Sequence, residues 1–231
     1  MKNTTLLILV AVLIAGVGLA KNLDTGYEPE GLDELVVQKG LFKTTMIRPD
    51  ADLSRYTKLY PKKVMLVIRD PGPQAEQPAT GSLLGKRSGG RVMPEWEEIE
   101  QLKRTINDAL DAELEQSSNR ELVHADGPGT LVLRSAVTEI VCDESSKTTA
   151  ADGEPVLVLS QGTIVFDLID GETGVVQMRV GERRKCRQAK GADASAETEG
   201  AWPNVGSWAK HAAEDLCREL ARLSGTTVGE S

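Results

Sequence analysis

The chain has 231 residues, with 27 Lys and Arg against 35 Asp and Glu, so its formal net charge is −8. This length suits one domain with a sizeable core, and the 40% hydrophobic and 27% charged fractions exclude collagen, coiled coil and complete disorder. Only 3% of the residues are aromatic and two are histidine, which argues against a nucleic-acid-binding protein and against a zinc enzyme.

The N-terminus has the pattern of an export signal. Lys2 precedes an uncharged apolar run over residues 6–20, which ends in the small residues Gly18 and Ala20. The run is shorter than the roughly 20 residues of a membrane-spanning helix, and we expect cleavage after Ala20. Retention as an uncleaved anchor is the alternative. The sequence thus predicts a secreted, periplasmic protein with a signal peptide at 1–20 and no transmembrane span after cleavage.

The segment that follows the signal is irregular in composition. Residues 21–62 combine Gly, Pro and short apolar patches, which predicts an extended lead-in segment lying over the domain. The run KVMLVIR, residues 63–69, predicts a strand that Asp70-Pro71-Gly72-Pro73 ends. The next residues, 71–93, are rich in Gly, Pro, Ser and Gln and predict a long exposed loop.

Two amphipathic helices are predicted from apolar residues at helical spacing. The first begins with Pro94 at its first helical position, followed by acidic residues that complement the positive helix end. The second covers about 205–223. Each carries one apolar stripe, formed in the first by Ile99, Leu102, Ile106, Leu110 and Leu114, and in the second by Trp208, Ala212, Leu216, Leu220 and Leu223.

Between these helices the pattern is that of β-strands. Residues 130–141 predict a long strand, and the polar residues 142–155 predict a loop. Residues 156–170 predict one long strand with a β-bulge at Gln161-Gly162. A hairpin turn at 171–174 leads into a strand at 175–180, and a polar insert covers 187–204.

The predicted order is β-α-β-β-β-α. The first two strands are joined through a helix and should be parallel, whereas the later strands are joined by turns and should be antiparallel. This predicts an α+β fold, a two-layer sandwich in which two helices cover one face of a mixed, mostly antiparallel sheet. We expect a single domain over 63–224 and a disordered tail over 225–231.

The predicted export determines how the three cysteines are interpreted. In an oxidising compartment two of them can pair, and we expect a disulfide between Cys142 and Cys186, although sequence alone does not determine connectivity. Cys217 lies within the apolar stripe of the last helix and should be a buried free thiol. No CxxC pair occurs, so neither a thioredoxin-like site nor a zinc knuckle is indicated.

No motif in the chain forms a coherent catalytic site. Residues 81–87 resemble a phosphate-binding loop but are one residue too short and carry Arg87 where Ser or Thr should hold magnesium. His124 has no nucleophile elbow to serve, and His211 lies about 240° around the helix from Cys217. The carboxylates lack the spacing of a calcium loop and are better explained by turn geometry; they are Asp152, Glu154, Asp167, Asp170 and Glu172. We therefore predict no catalytic residue, metal or cofactor.

The most unusual charge feature is a basic run within this acidic chain. It consists of Arg179, Arg183, Arg184, Lys185, Arg187 and Lys190, offset by Glu182. Such a run can contact an anionic envelope surface or an acidic partner protein. The alternative is a solvated strand end whose charges prevent edge-to-edge aggregation.

Several stretches resemble a known family. Residues 41–70, 127–141, 163–184 and 201–220 are similar to an uncharacterised family of Gram-negative envelope proteins, usually predicted lipoproteins, defined by the domain of unknown function 3313. The resemblance implies an envelope location and no established activity. The apolar run at 6–20 contains no cysteine to accept a lipid, so the resemblance does not extend to lipid anchoring.

Together these features favour a non-enzymatic, periplasmic binding or scaffolding domain. Its partner would be another envelope protein or an anionic envelope surface, met by the basic run or by the 71–93 loop. Two alternatives stay open: a hydrolase with a carboxylate or serine site that has no recognisable motif, and a carrier of a small ligand in an apolar cavity.

Overall fold

The structure is a computed structural model that describes residues 29–68, 94–149, 155–185 and 205–225. For 141–149, 155–160 and 184–185 it describes the backbone. The predicted signal peptide, the 71–93 loop and the polar insert at 187–204 lie outside the described residues.

The described elements are eight strands, two α-helices and two 3₁₀ turns. In chain order the strands are β1 (Val36–Gln38), β2 (Thr44–Ile47), β3 (Lys58–Pro61), β4 (Met65–Leu66), β5 (Glu121–Leu122), β6 (Thr130–Thr149), β7 (Pro155–Asp170) and β8 (Val176–Lys185). The helices are α1 (Trp96–Ser117) and α2 (Val205–Leu223), and the turns are η1 (Leu32–Glu34) and η2 (Leu53–Arg55).

The strands form one mixed sheet in the order β1-β2-β8-β7-β6-β3-β5, with β4 also paired to β6. The ladders from β1 through β2, β8 and β7 to β6 are antiparallel, whereas β3 and β4 run parallel to β6. The parallel pairing that the sequence predicted between the first strand and the strand after α1 is therefore confirmed, although β4 is only two residues long.

Both helices pack on one face of the sheet, which confirms the predicted α+β class. A single apolar cluster joins α1 and α2 to alternate residues of the central strands, among them Leu133, Phe166 and Val180. The predicted stripes supply the helix side of this cluster: Leu102, Ile106, Leu110 and Leu114 from α1, and Trp208, Ala212, Leu216 and Leu220 from α2. Within the described ranges, no helix is both long enough and apolar enough to cross a membrane.

The start of α1 differs slightly from the prediction. Glu95, not a residue before Pro94, is the N-cap, and it forms a capping box with Glu98 in which the Glu95 N–H donates to Glu98 Oε2 at 2.7 Å. Pro94 thus precedes the cap instead of occupying the first helical position. The capping box satisfies two backbone donors that the helix end leaves free, so it specifies where α1 begins.

The predicted lead-in contributes more than an irregular covering. Its described part supplies β1, β2 and β3, and β2 pairs with β8 while β3 pairs with β6. These strands have three or four residues each, too few to show the alternation by which strands are recognised in a sequence. Their pairing partners, which are distant in the sequence, determine their conformation.

The β6–β7 hairpin is longer than predicted. The polar residues 142–149 were expected to form a loop, but they continue β6 and pair with β7. The antiparallel β6–β7 ladder thus extends beyond the rest of the described sheet as a two-stranded ribbon. The expected bulge is found in this ladder: β6 has one extra residue between Thr138 and Val141, and β7 has one at Ser160. This irregularity lies beside the predicted position, Gln161-Gly162, but one of its two extra residues is on β6 and not on β7.

Glycine is required at position 40 because the chain segment that precedes β2 passes very close to α2 there. A Cβ at this position would overlap Thr45 Oγ1 and Glu219 Oε1. Both residues are almost completely buried, and Glu219 is held by Arg222 and by the Leu41 N–H, so neither can move aside freely. We expect Gly40→Ala to lower the free energy of unfolding by about 1–3 kcal/mol in urea titrations.

Gly206→Ala is the matched control for this substitution. A Cβ at Gly206, in the first turn of α2, would make only an ordinary contact with Thr105 at 3.6 Å. Alanine also favours the helix over glycine by about 0.5–1 kcal/mol. Equal loss of stability in the two variants would contradict the assignment of Gly40.

Candidate functional site

The predicted basic run is divided by the structure. Arg179 lies in the middle of β8, is 2% exposed, and points to the sheet face opposite the helices. Its Nε and Nη2 donate to Asp167 Oδ1 and Oδ2 at 2.6 and 2.8 Å, in a bidentate pair with the directly opposite residue of β7. Arg179 therefore does not belong to an exposed basic surface, which corrects the prediction for this residue.

Arg183 is the member of the run whose side chain the structure shows at the surface. Its side chain is 53% exposed and its Nε lies 3.8 Å from Glu139 Oε2, which is longer than a hydrogen bond. The same Glu139 oxygen accepts a hydrogen bond of 2.7 Å from Thr163 Oγ1. Arg183 and Thr163 are directly opposite each other on β8 and β7. Much of the guanidinium charge is thus left to solvent or to a ligand.

Glu139 reaches this position because the backbone is irregular there. It lies at the extra residue of β6, and among the described residues it alone has a positive φ, 52°, without being glycine. A non-glycine residue in this region is strained, and such strain is often found at functional sites. Next to it the hydroxyl of Thr138 is buried without a hydrogen-bond partner. We call Thr138, Glu139, Thr163 and Arg183 the bulge cluster.

The end of β8 beside the bulge cluster is also a strand edge. β2 accompanies β8 only as far as Gly181, and from Glu182 onward β7 is the one described strand that pairs with it. By register, Arg184 and Lys185 continue this edge opposite Gly162 and Gln161. Arg187 lies outside the described residues. Three consecutive cations, residues 183–185, therefore follow a strand edge that is open within the described sheet.

Asp170 serves the geometry of the β7–β8 turn, as the sequence indicated, whereas Asp167 does not: it is the buried partner of Arg179 within the sheet. Asp170 Oδ1 accepts hydrogen bonds from the N–H groups of Glu172 and Thr173, both at 2.9 Å. Its Oδ2 accepts from the Tyr56 hydroxyl at 2.6 Å and from Arg55 Nη2 at 2.5 Å. Asp170 thereby connects the turn to η2, an interaction that no local pattern in the sequence indicates.

These contacts lower the pKa of Asp170 and raise the pKa of Tyr56. Burial alone raises the pKa of Asp170, but hydrogen bonds from Tyr56, Thr173 and Glu172 and the charge of Arg55 outweigh it and lower the pKa to about 2. Burial and the hydrogen bond to Asp170 raise the pKa of Tyr56 to about 12. At neutral pH the pair is therefore an ionised carboxylate that accepts a hydrogen bond from a neutral phenol.

Arg120 is a buried cation that holds several chain segments together. Its Nε donates to the Tyr56 carbonyl at 3.1 Å, and its Nη2 donates to the Leu53 carbonyl at 3.2 Å and to Ser224 Oγ at 2.6 Å. It lies just after the C-terminus of α1 and beside that of α2, where the helix dipoles favour positive charge. Burial lowers the pKa of Arg120. This role is structural, and sequence reasoning did not identify it.

The structure tests one of the cysteine predictions. Cys217 is a free thiol, 6% exposed, which confirms its predicted burial. Burial, with Glu113 nearby, raises its pKa to about 12, so the thiol stays protonated at neutral pH.

The Cys142–Cys186 disulfide stays a prediction, because Cys186 lies outside the described residues. The residues before the two cysteines, Val141 and Lys185, pair with Gln161 from opposite sides. They are therefore two interstrand spacings apart, about 9.6 Å. A disulfide needs Cα atoms closer than about 7 Å, so it requires the chain after Lys185 to leave the line of β8.

The remaining candidate groups do not converge on one another. His124 is exposed, and the exposed His211 has its Nδ1 2.7 Å from the Ser207 carbonyl oxygen in the preceding turn of α2. Asp167 and Asp170 bind different partners, on β8 and η2. In the part of the chain that the structure describes, no three His, Cys, Asp or Glu side chains are placed to hold a metal ion. The segment 81–87 and the pair Asp152 and Glu154 lie outside that part.

Comparisons with known proteins leave the family open. No protein-family model matches the sequence, and no curated protein sequence matches it. Among solved structures, the chain is similar to a PelC dodecamer from Paraburkholderia phytofirmans, with 13% identity, a TM-score of 0.36, and coverage of 77% of this chain and 96% of that one. A variant PelC dodecamer from the same organism gives 16% identity, a TM-score of 0.33, and coverage of 75% and 95%. Similarity at these TM-scores supports no conclusion about fold or function.

Proposed function

We propose that this chain is an exported, non-enzymatic protein of the cell envelope that binds or scaffolds another envelope component through the cationic end of β8. The observation that carries the proposal is Arg183. It is 53% exposed, it is only loosely paired with Glu139, and it begins three consecutive cations on an open strand edge. The export signal in the sequence supports the location, as does the resemblance to a family of Gram-negative envelope proteins.

A binding role agrees with how the buried ionisable groups are used. Asp170 is committed to the β7–β8 turn and η2, Arg120 to backbone carbonyls, and Asp167 to Arg179. The Cys217 thiol is protonated at neutral pH and therefore a weak nucleophile. Each of these groups stabilises the fold, whereas the exposed charge of Arg183 is available to a partner.

The bulge cluster suggests what the partner must offer. Arg183 binds carboxylate or phosphate groups in a bidentate manner when a ligand supplies them, and Arg184 and Lys185 add charge along the same edge. Because the chain as a whole carries −8, an anionic partner is attracted to this end and repelled elsewhere. We therefore expect an anionic group on an envelope component, and binding that weakens with salt.

Charge reversal tests this proposal. We expect the triple variant Arg183→Glu, Arg184→Glu and Lys185→Glu to recover at least about tenfold less partner from a detergent extract of envelopes, since each cation near an anionic surface contributes about 1 kcal/mol. The readout is the quantity of each protein and lipid recovered on the immobilised chain at low and at 0.5 M salt, a concentration at which screening is short-ranged.

The control is a variant with the same change of net charge at exposed positions elsewhere, namely Lys63→Glu, Arg104→Glu and Arg218→Glu. Circular dichroism checks that both variants are folded. Vesicles with and without anionic lipid distinguish a membrane surface from an acidic protein as the source of the anionic group. Unchanged recovery of every component by the first variant, or an equal loss in both, would overturn the proposal.

A further inference from the structure

The outer edge of the sheet at β1 carries unusual apolar exposure. Among the described residues, three large hydrophobic side chains are exposed: Val37 at 52%, Leu41 at 49% and Trp96 at 70%. Two of them lie four residues apart, within or just after β1. β1 is the first strand of the sheet and pairs with β2 on one side only within the described strands. This edge therefore combines open main-chain groups with an apolar surface.

An apolar cluster lies directly behind this edge. Leu35, Met46 and Val176 are buried together with the partly buried Leu32. Val37 is opposite Met46 in the β1–β2 ladder, so it lies on the same face of the sheet as this cluster. A strand added beside β1 would extend the cluster if it placed an apolar side chain on that face.

The charges that flank β1 are complementary to those that flank a second copy of β1 running in the opposite direction. The acidic residue Asp33 precedes the strand and the basic residue Lys39 follows it, and both are exposed. We infer that β1 pairs antiparallel with β1 of a second copy of this chain, about a two-fold axis at Val36. The inference is independent of the cationic end of β8, because it rests on the outer edge of β1 and uses none of residues 183–185.

Symmetry restricts the register of this pairing to three choices, one for each residue of β1. Directly opposite residues of antiparallel strands share a face, and a two-fold axis normal to the sheet keeps each face on its own side. The axis must therefore pass through one residue facing its own copy, which is Val36, Val37 or Gln38. An axis between two residues would place side chains of opposite faces against each other.

The side chains favour the axis at Val36. In that register Leu35 lies opposite Val37 of the second copy, and Lys39 lies at the end of the strand pair where η1 of the second copy carries Asp33. Both arrangements occur twice. With the axis at Val37, Leu35 would lie opposite Lys39, and with the axis at Gln38, Val37 would lie opposite Lys39. In both registers an apolar side chain would meet a charged one. Apolar and opposite-charge cross-strand pairs stabilise a sheet, which selects the first register.

The short length of β1 limits the strength of the dimer. Three residues of strand make few main-chain hydrogen bonds, and the contact is smaller than a standard interface. We expect a reversible dimer with a dissociation constant of roughly 0.1–1 mM, at the weak end for small interfaces. Analytical ultracentrifugation of the full chain from 0.01 to 2 mM, chosen to bracket roughly that range, should show the weight-average mass rising toward twice that of the chain.

Two variants test the surface. Val37→Lys puts a charge opposite the apolar Leu35 of the second copy and brings two like charges onto one face of the strand pair, and we expect it to weaken the dimer at least about tenfold. Trp96→Lys is the matched control, because it also replaces an exposed large hydrophobic residue by lysine but lies on α1. Binding of envelope components at residues 183–185 should be the same in both variants, so failure of this inference and failure of the proposed function give different results.

Crosslinking tests the register. With the axis at Val36, two copies of Val36→Cys have Cα atoms about 4.5–5.5 Å apart and should form a 36–36 disulfide, identified by mass spectrometry of the linked peptide. Two copies of Val37→Cys would be about 8 Å apart and should not link. A monomer at every concentration, a dimer unaffected by Val37→Lys, or a 37–37 disulfide without the 36–36 disulfide would overturn the inference.

Discussion

We expect Arg179→Met to lower the free energy of unfolding by about 3–5 kcal/mol, because it leaves the Asp167 carboxylate buried without its partner. The side chains of the two residues are 3% and 4% exposed, so water cannot replace the lost hydrogen bonds without a rearrangement of the sheet. Urea titrations followed by circular dichroism measure the effect, and a constant slope of the transition confirms that folding stays two-state.

A double substitution separates the cost of an unpaired charge from the contribution of the pair. Asp167→Leu with Arg179→Met replaces both charges by apolar groups, and we expect it to recover most of the lost stability, because burying an ion pair costs much of what its attraction returns. Arg183→Met is the control on the same strand, and its exposed, loosely paired side chain should contribute less than about 1 kcal/mol. A double variant as unstable as Arg179→Met would contradict this account of the pair.

Arg179 also shows what the sequence could not reveal. In the printed chain it is one of six cations between 179 and 190, and nothing nearby distinguishes it from Arg183. The distinction depends on which residue of β7 lies opposite each one: Asp167 faces Arg179, whereas Thr163 faces Arg183. That register is set by the β7–β8 turn, and Asp167 is 12 residues away in the chain. Counting charges along a short stretch of sequence does not reveal this register.

Elements with a long internal period were predicted well, and those that depend on distant partners were not. The helices α1 and α2 show their apolar stripes over four turns or more, so the buried residues could be named from spacing alone. The strands β1, β2 and β3 are too short for a period and exist because β8 and β6 pair with them. The sequence suggested the bulge at Gln161-Gly162, because glycine interrupts an apolar run there.

The bulge cluster could be predicted only in part. Arg183 stands out by charge, but Glu139 and Thr163 are separated from it and from each other by 20 residues or more, and they meet through the β6–β7 and β7–β8 ladders. The one local signal is an acidic residue inside an apolar strand, four residues before the strand turns polar. Its strained backbone and its contact with Arg183 are consequences of the extra residue in β6.

The connection between Asp170 and η2 should make stability depend on pH in a defined window. The folded-state pKa of Asp170 is about 2, against 3.8 for the unfolded chain, so the group contributes stability above pH 4 and loses it as the pH falls toward 2. A difference of this size corresponds to about 2 kcal/mol. We expect the wild-type chain to lose this amount between pH 5 and pH 2, in addition to the losses from other carboxylates.

Asp170→Asn isolates the contribution of this one carboxylate. Asparagine retains an oxygen for the N–H groups of Glu172 and Thr173, but its amide cannot pair with Arg55 or accept from Tyr56 in the same way. We expect the variant to be less stable by about 2–3 kcal/mol at pH 7 and the difference from wild type to shrink as the pH falls to 2. Urea titrations at intervals of half a pH unit measure the difference. A difference that is the same at pH 7 and pH 2 would show that the residue acts through its shape in the turn and not through its charge.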